Sequence, residues 1–165
     1  KDETAYTVQS LSGGERFNFH SCAVAASGAM DAWAKTRETI EDGIDQVIIE
    51  GAVDSLSSCD LQSDDKISIL SEQATRIELD VEAGQDGWLV IADTWYPGWQ
   101  ASVDGQVVTI SRAHYVFRGL PLPAGRHLVV IEYRPWWIWP ATGLSLLGIL
   151  SIAILLFLGR KNNTL

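Results

Sequence analysis

Cysteine is nearly missing from this 165-residue chain: only Cys22 and Cys59 occur, without a Cys-x-x-Cys spacing and without a histidine at a ligand interval from either. The common zinc patterns are thereby excluded. The three histidines, His20, His114 and His127, stand singly, so the spacing offers neither a metal pair nor a nucleophile beside its base. Ser12-Gly13-Gly14 carries no further part of a phosphate loop. No catalytic residue, cofactor or metal is therefore assigned. Positive charge is scarce too, with 12 Lys and Arg against 21 Asp and Glu, a net charge of −9. Setting aside Arg160 and Lys161 leaves 10 basic against 21 acidic residues, or −11. Without a basic stripe, the phosphate backbone of a nucleic acid repels this surface, and so do anionic headgroups. Internal repeats and low-complexity tracts are absent as well.

One feature is abundant where it stands. Trp137 to Leu158 read as an uncharged apolar run, with Tyr133, Trp136, Trp137 and Trp139 at its start and Gly159-Arg160-Lys161 closing it. At about 1.5 Å per helical residue such a run spans roughly 30 Å, the thickness of a hydrocarbon core. The expectation is a single C-terminal transmembrane helix over 137–158, with Pro140 in its first turn and aromatic rings at the headgroup level. Arg160 and Lys161 favour a cytoplasmic tail over 159–165 and an exported domain over 1–136. The chain opens Lys1-Asp2-Glu3 without a signal peptide, so either a signal was removed or the chain is the C-terminal piece of a longer membrane protein.

Within residues 1–136 the pattern is that of short strands. Tyr6 to Leu11 and Arg16 to Ala25 suggest a hairpin about Ser12-Gly13-Gly14-Glu15, and Val47 to Glu50 a further strand. Between them Ala29, Met30, Trp33, Ala34 and Ile40 recur at helical spacing, which predicts an amphipathic helix over 28–40. Residues 54–65 are rich in Ser and Asp and read as a connector. Asp60, Asp64 and Asp65 do not match a calcium loop. A strand meander then fills 66–135: Lys66 to Ser71, Arg76 to Glu82, Trp88 to Thr94, Trp99 to Val103, Val107 to Ile110, Tyr115 to Leu120 and Leu128 to Tyr133. Asp104-Gly105 between two of these strands predicts a two-residue type I′ turn. The fold class expected is mainly β, an antiparallel β-sandwich with one short amphipathic helix, followed by the membrane helix.

The densest motifs run from Trp95-Tyr96-Pro97-Gly98-Trp99 through Asp104-Gly105 to Arg112-Ala113-His114-Tyr115-Val116-Phe117-Arg118-Gly119. Pro123-Ala124-Gly125-Arg126-His127 and Glu132-Tyr133-Arg134-Pro135 follow. Together they resemble the C-terminal region of the YfhO family of bacterial multi-spanning membrane proteins, chiefly over Leu89 to Leu158, and His114 departs from the Asn often found there. The resemblance implies upstream transmembrane helices of the same protein as partners and a place in the bacterial cytoplasmic membrane with the domain facing the periplasm or cell exterior. It also implies an architecture similar to lipid-linked-sugar glycosyltransferases of the GT-C type, whose catalytic acid lies in an early loop outside these residues.

Two readings stand for each candidate side chain. Pro97-Gly98 makes a reversal, and the rings of Trp95, Tyr96 and Trp99 either close the core or offer a platform on which a sugar stacks while Asp104 or Arg118 bonds its hydroxyls. Arg112 and Arg118 either clamp a phosphate of a lipid-linked sugar or form salt bridges to Asp93, Asp104 or Glu132. Cys22 and Cys59 either pair, as an exported compartment permits, or remain buried thiols. The leading expectation is a C-terminal accessory domain, structural or substrate-positioning, of a larger membrane protein possessing a sugar-transfer architecture. Against it stand a membrane-anchored module binding a glycan or a protein, and a tail-anchored cytosolic adaptor.

Overall fold

The computed structural model describes residues 16–51 and 65–162, with the side chains of the last helix described as far as 154. The chain divides into two units, one ending at Tyr133 and the other beginning at Arg134. In the first, eleven strands and one helix are described: β1 Phe17–His20, β2 Ala23–Ala26, α1 Ala29–Asp42, β3 Val47–Glu50, β4 Lys66–Gln73, β5 Arg76–Ala83, β6 Gly87–Ile91, β7 Trp99–Val103, β8 Gln106–Val108, β9 Ser111–Ala113, β10 Phe117–Leu122 and β11 Gly125–Tyr133.

They form two sheets, of order β1-β6-β10-β9-β3-β2 and β4-β5-β11-β7-β8. Strict alternation builds the second sheet: Ile77, Leu79, Val81 and Ala83 of β5 are buried, while Glu78, Asp80 and Glu82 take the other side. With Val129 and Ile131 of β11 they meet Leu89 and Ile91 of β6 and Leu120 and Leu122 of β10 in one core between the sheets. β6 is buried along its whole length, because its other side, Trp88 and Val90, packs with Val47, Ile49 and Ala113. Asp104 and Gly105 have φ of 51° and 81°, the type I′ geometry that returns β7 onto β8 with Val103 opposite Gln106.

The strands therefore form a sandwich, but the expected fold class is corrected in three respects. First, the sheets are not wholly antiparallel. β2 and β3 run parallel, joined by α1 as a β-α-β crossover, and β1 pairs with β6 and not with its sequence neighbour. Arg16 to Ala25 is divided between β1 and β2, while Tyr6 to Leu11, the other arm of the expected hairpin, and the connector up to residue 64 lie outside the described residues. Second, α1 forms over nearly the predicted span but buries a different side. Ala32, Thr36 and Thr39 face inward, and Met30, Trp33 and Ile40 are exposed. Ala32 packs with Ala26 and Ile48, a close approach that suits small side chains and leaves no room for a Trp.

Third, the transmembrane helix over Trp137–Leu158 is not what the second unit shows. A helix, α2, does run Ile138–Asn162. Among the described residues, however, no helix is long and apolar enough to cross a membrane. Pro140, Thr142, Gly143, Ser145, Gly148 and Ser151 dilute the run. The hydroxyls of Thr142, Ser145 and Ser151 turn back to carbonyls one turn earlier, at Ile138, Ala141 and Leu147.

Candidate functional site

The segment 92–98 leaves the first sheet at the end of β6 and enters the second at the start of β7, so it is a strap between the sheets. Gly98, with φ of 105°, supplies the reversal that a side chain would resist. Opposite the strap, β9 and β10 form a hairpin in which Arg112 and Arg118 are direct cross-strand partners. Two like charges at this spacing repel. Each is relieved by a carboxylate and a ring. Arg118 lies over the Trp99 ring at 4.2 Å, and its Nη2 donates to Asp93 Oδ2 at 2.7 Å. Arg112 lies over the Trp95 ring at 4.6 Å and meets Glu50 Oε2 at 3.2 Å. The strap's own backbone is fastened as well, since Trp95 N–H donates to Val116 O at 2.7 Å and its indole N–H to Ile110 O at 3.4 Å.

Asp93 joins a second arginine. Arg16 donates to it through Nε at 3.0 Å and Nη2 at 2.6 Å, and its Nη1 pairs with Glu72 of β4. Burial works to raise the Asp93 carboxyl, but the Arg16 hydrogen bond and the charges of Arg118 and Arg16 hold it below the usual carboxylate range. Burial pulls the Arg118 guanidinium down, as does the Arg16 charge, against the pull of Asp93. Arg118 is 3% exposed, and among the described residues its Nε and Nη1 have no hydrogen-bond partner. Beside this network lies an open cavity of about 580 Å³, lined by Arg16, Glu72, Gln73, Asp93 and Trp99 together with Ala74 and Ile77.

The six candidate residues thus do not converge on one point. Trp99 and Arg118 belong to the Asp93 network, and Trp95 and Arg112 to a second stack near Glu50. Tyr96 is exposed on the strap between them. Asp104 lies elsewhere, where its Oδ1 accepts from Leu128 N–H at 2.9 Å and its Oδ2 meets His127 Nδ1 at 2.7 Å. That hydrogen bond holds Asp104 below the usual carboxylate range and raises His127. Asp104 is not among the groups that line the cavity. Arg112 and Arg118, the candidate phosphate clamp, are each engaged with a ring and a carboxylate. Arg16, Glu50 and Glu72 complete the two stacks without any local sequence signal of their own. Arg16 lies 56 and 77 positions from its partners Glu72 and Asp93, and no local pattern announces such a contact.

Cys22 is 8% exposed and disulfide-bonded; Cys59 lies outside the described residues. No group of three or more His, Cys, Asp or Glu suited to a metal occurs among the described residues. Asp60 and Asp64 are outside them, and Asp65 Oδ1 accepts from Gly84 N–H at 2.9 Å. His114 occupies the hairpin turn with φ of 44°, followed by Tyr115 at 70°. Asn tolerates that left-handed region better than most residues. The His114 ring meets the His20 ring edge-on at 6.0 Å, and His20 Nδ1 is 2.8 Å from Asp45 Oδ1.

A family model described as "Bacterial membrane protein YfhO" matches residues 58–145. No curated protein and no solved structure matches the chain. The match covers more than half of the sequence and contains the strap, the Asp-Gly turn and the β9–β10 hairpin. The chain belongs to the YfhO family of bacterial membrane proteins.

Proposed function

We propose that these residues form an accessory domain of a larger YfhO-family protein in the bacterial cytoplasmic membrane, facing the cell exterior, with a structural rather than catalytic task. The upstream helices of the same protein and the bilayer are its partners. Any sugar transfer by a GT-C-like architecture would be performed by residues outside this chain. One observation carries the reading: the side chains of the densest motifs are spent on one another. A face of Trp95 and a face of Trp99 are each covered by an arginine of the same domain, and that arginine is held by a carboxylate. Such an arrangement braces two sheets against each other and makes a rigid mount. The disulfide-bonded state of Cys22 supports an oxidising compartment, and Cys59 is the partner we assign to it.

A second reading rests on the cavity beside Trp99, whose carboxylates, guanidinium and amide suit the hydroxyls of a glycan or lipid-linked sugar. Trp99→Ala in the full chain separates the two. The bracing role predicts that denaturant unfolding shows a loss of about 2–3 kcal/mol, as for a partly buried Trp. Unchanged stability with loss of binding to a panel of cell-wall glycans would instead support the sugar site.

A further inference from the structure

β2, α1 and β3 have a small core of their own, Ala26, Ala32 and Ile48, separate from the core between the sheets. Beyond it, Val47 and Ile49 pack with Trp88 and Val90 of β6. Among the described residues, the fastenings of this crossover converge on β9 and the turn after it. Arg112 meets Glu50 at 3.2 Å, Ala113 is registered opposite Ile49, His114 N–H donates to Ile48 O at 2.8 Å, and the Tyr115 ring meets Trp33 edge-on at 5.8 Å. Residues 112–115 thus grip residues 50, 49, 48 and 33 in turn. Ile49–Ala113 is the one registered pair between β3 and β9, whereas β5 and β11 are in register from Arg76 to Ala83. A unit joined through so short a ladder opens at a lower free energy than core strands do.

The His114 ring lies within this clasp. It meets the His20 ring, at the end of β1, at 6.0 Å, and His20 Nδ1 is 2.8 Å from Asp45 Oδ1 in the loop leading to β3. Arg112 of β9, Glu50 of β3 and Tyr115 are the other charged or titratable groups of the clasp, and α1 contributes Trp33. Burial first, and the charge of His20 second, lower His114 to about 4. A proton therefore binds His114 more easily once the crossover has left the turn and water reaches the ring, so falling pH favours the opened form. We propose that the β2-α1-β3 crossover is an acid-released flap, clasped at neutral pH by residues 112–115 and opened from Trp88 and Val90 when His114 takes up a proton.

Hydrogen exchange of the full chain at about pH 7.5 and about pH 5, corrected for the intrinsic pH dependence of amide exchange, tests this. The amides of α1 and β3 are expected to exchange as a group, with lower protection than those of β5 and β11 at both pH values. Their protection should fall by about ten-fold or more at the lower pH, the size set by a shift from 6.5 to about 4. His114→Asn should remove most of that acid loss. His20→Gln, which takes away the neighbouring charge but can still donate to Asp45, should remove a smaller part. Should His114→Asn fail to fold, His20→Gln alone decides. Equal protection in α1, β3, β5 and β11 overturns the proposal, because opening would then be global unfolding. So does protection in α1 and β3 that is the same at both pH values, or an acid loss that neither variant reduces.

Discussion

His114 shows how one residue couples backbone strain to pH. Its positive φ is uncommon for a residue with a side chain, and its ring is largely removed from water beside His20. Desolvation first, and the charge of His20 second, lower its pKa from 6.5 to about 4. Because the folded value lies below the unfolded one, the native state binds fewer protons between them. The stability His114 allows is complete above about pH 6.5 and falls away as pH drops towards 4. His114→Asn is therefore expected to stabilise the domain at pH 7 by about 0.5–1 kcal/mol through easier left-handed geometry. It should also flatten the decline between pH 6.5 and 4, as urea unfolding at several pH values will show. An unchanged acid slope would mean that His114 is not the titrating group. The rise at His127 has the opposite sign: hydrogen-bonded by Asp104, its contribution is full below pH 6.5 and is lost as pH climbs through the raised value.

At the scale of elements, the β9–β10 hairpin and the strap are matched parts. Gly119 sits beside Arg118 because a Cβ there would come within 3.0 Å of Ile49 Cδ1 and 3.2 Å of Ala113 Cβ. Gly119→Ala should accordingly cost about 1–2 kcal/mol by crowding β3 and β9, measured by denaturant unfolding. No loss would show that these neighbours yield freely. Much of this level is legible in the sequence. The alternation of Ile77, Leu79 and Val81, the Asp104-Gly105 turn and the 28–40 periodicity point to β5, to the β7–β8 turn and to α1. What local pattern does not disclose is which neighbour each element meets. The parallel β2–β3 pair depends on α1 crossing over, and the inward side of α1 is decided by the small Ala26 and Ala32 surfaces, not by where the large apolar residues lie. The apolar run at the end is readable as a helix, but its small and hydroxylated residues weaken the inference from hydropathy to a span.

For the whole molecule, the recognisable motifs of the family locate the joint between two sheets. Trp95 and Trp99 are drawn to the hairpin by Arg112 and Arg118, and Arg16 ties the same point to β4 through Glu72. The candidate side chains are readable as a group; their division into two stacks and a remote Asp104–His127 pair follows only from folding. A mount of this kind needs the joint to be energetically coupled, not merely filled. A double-mutant cycle of Trp99→Ala and Arg118→Met, followed by denaturant unfolding, tests this directly. The account predicts a coupling of about 1–2 kcal/mol, the size of a partly desolvated cation–π contact. Additive single-mutant effects, with no coupling, would contradict it.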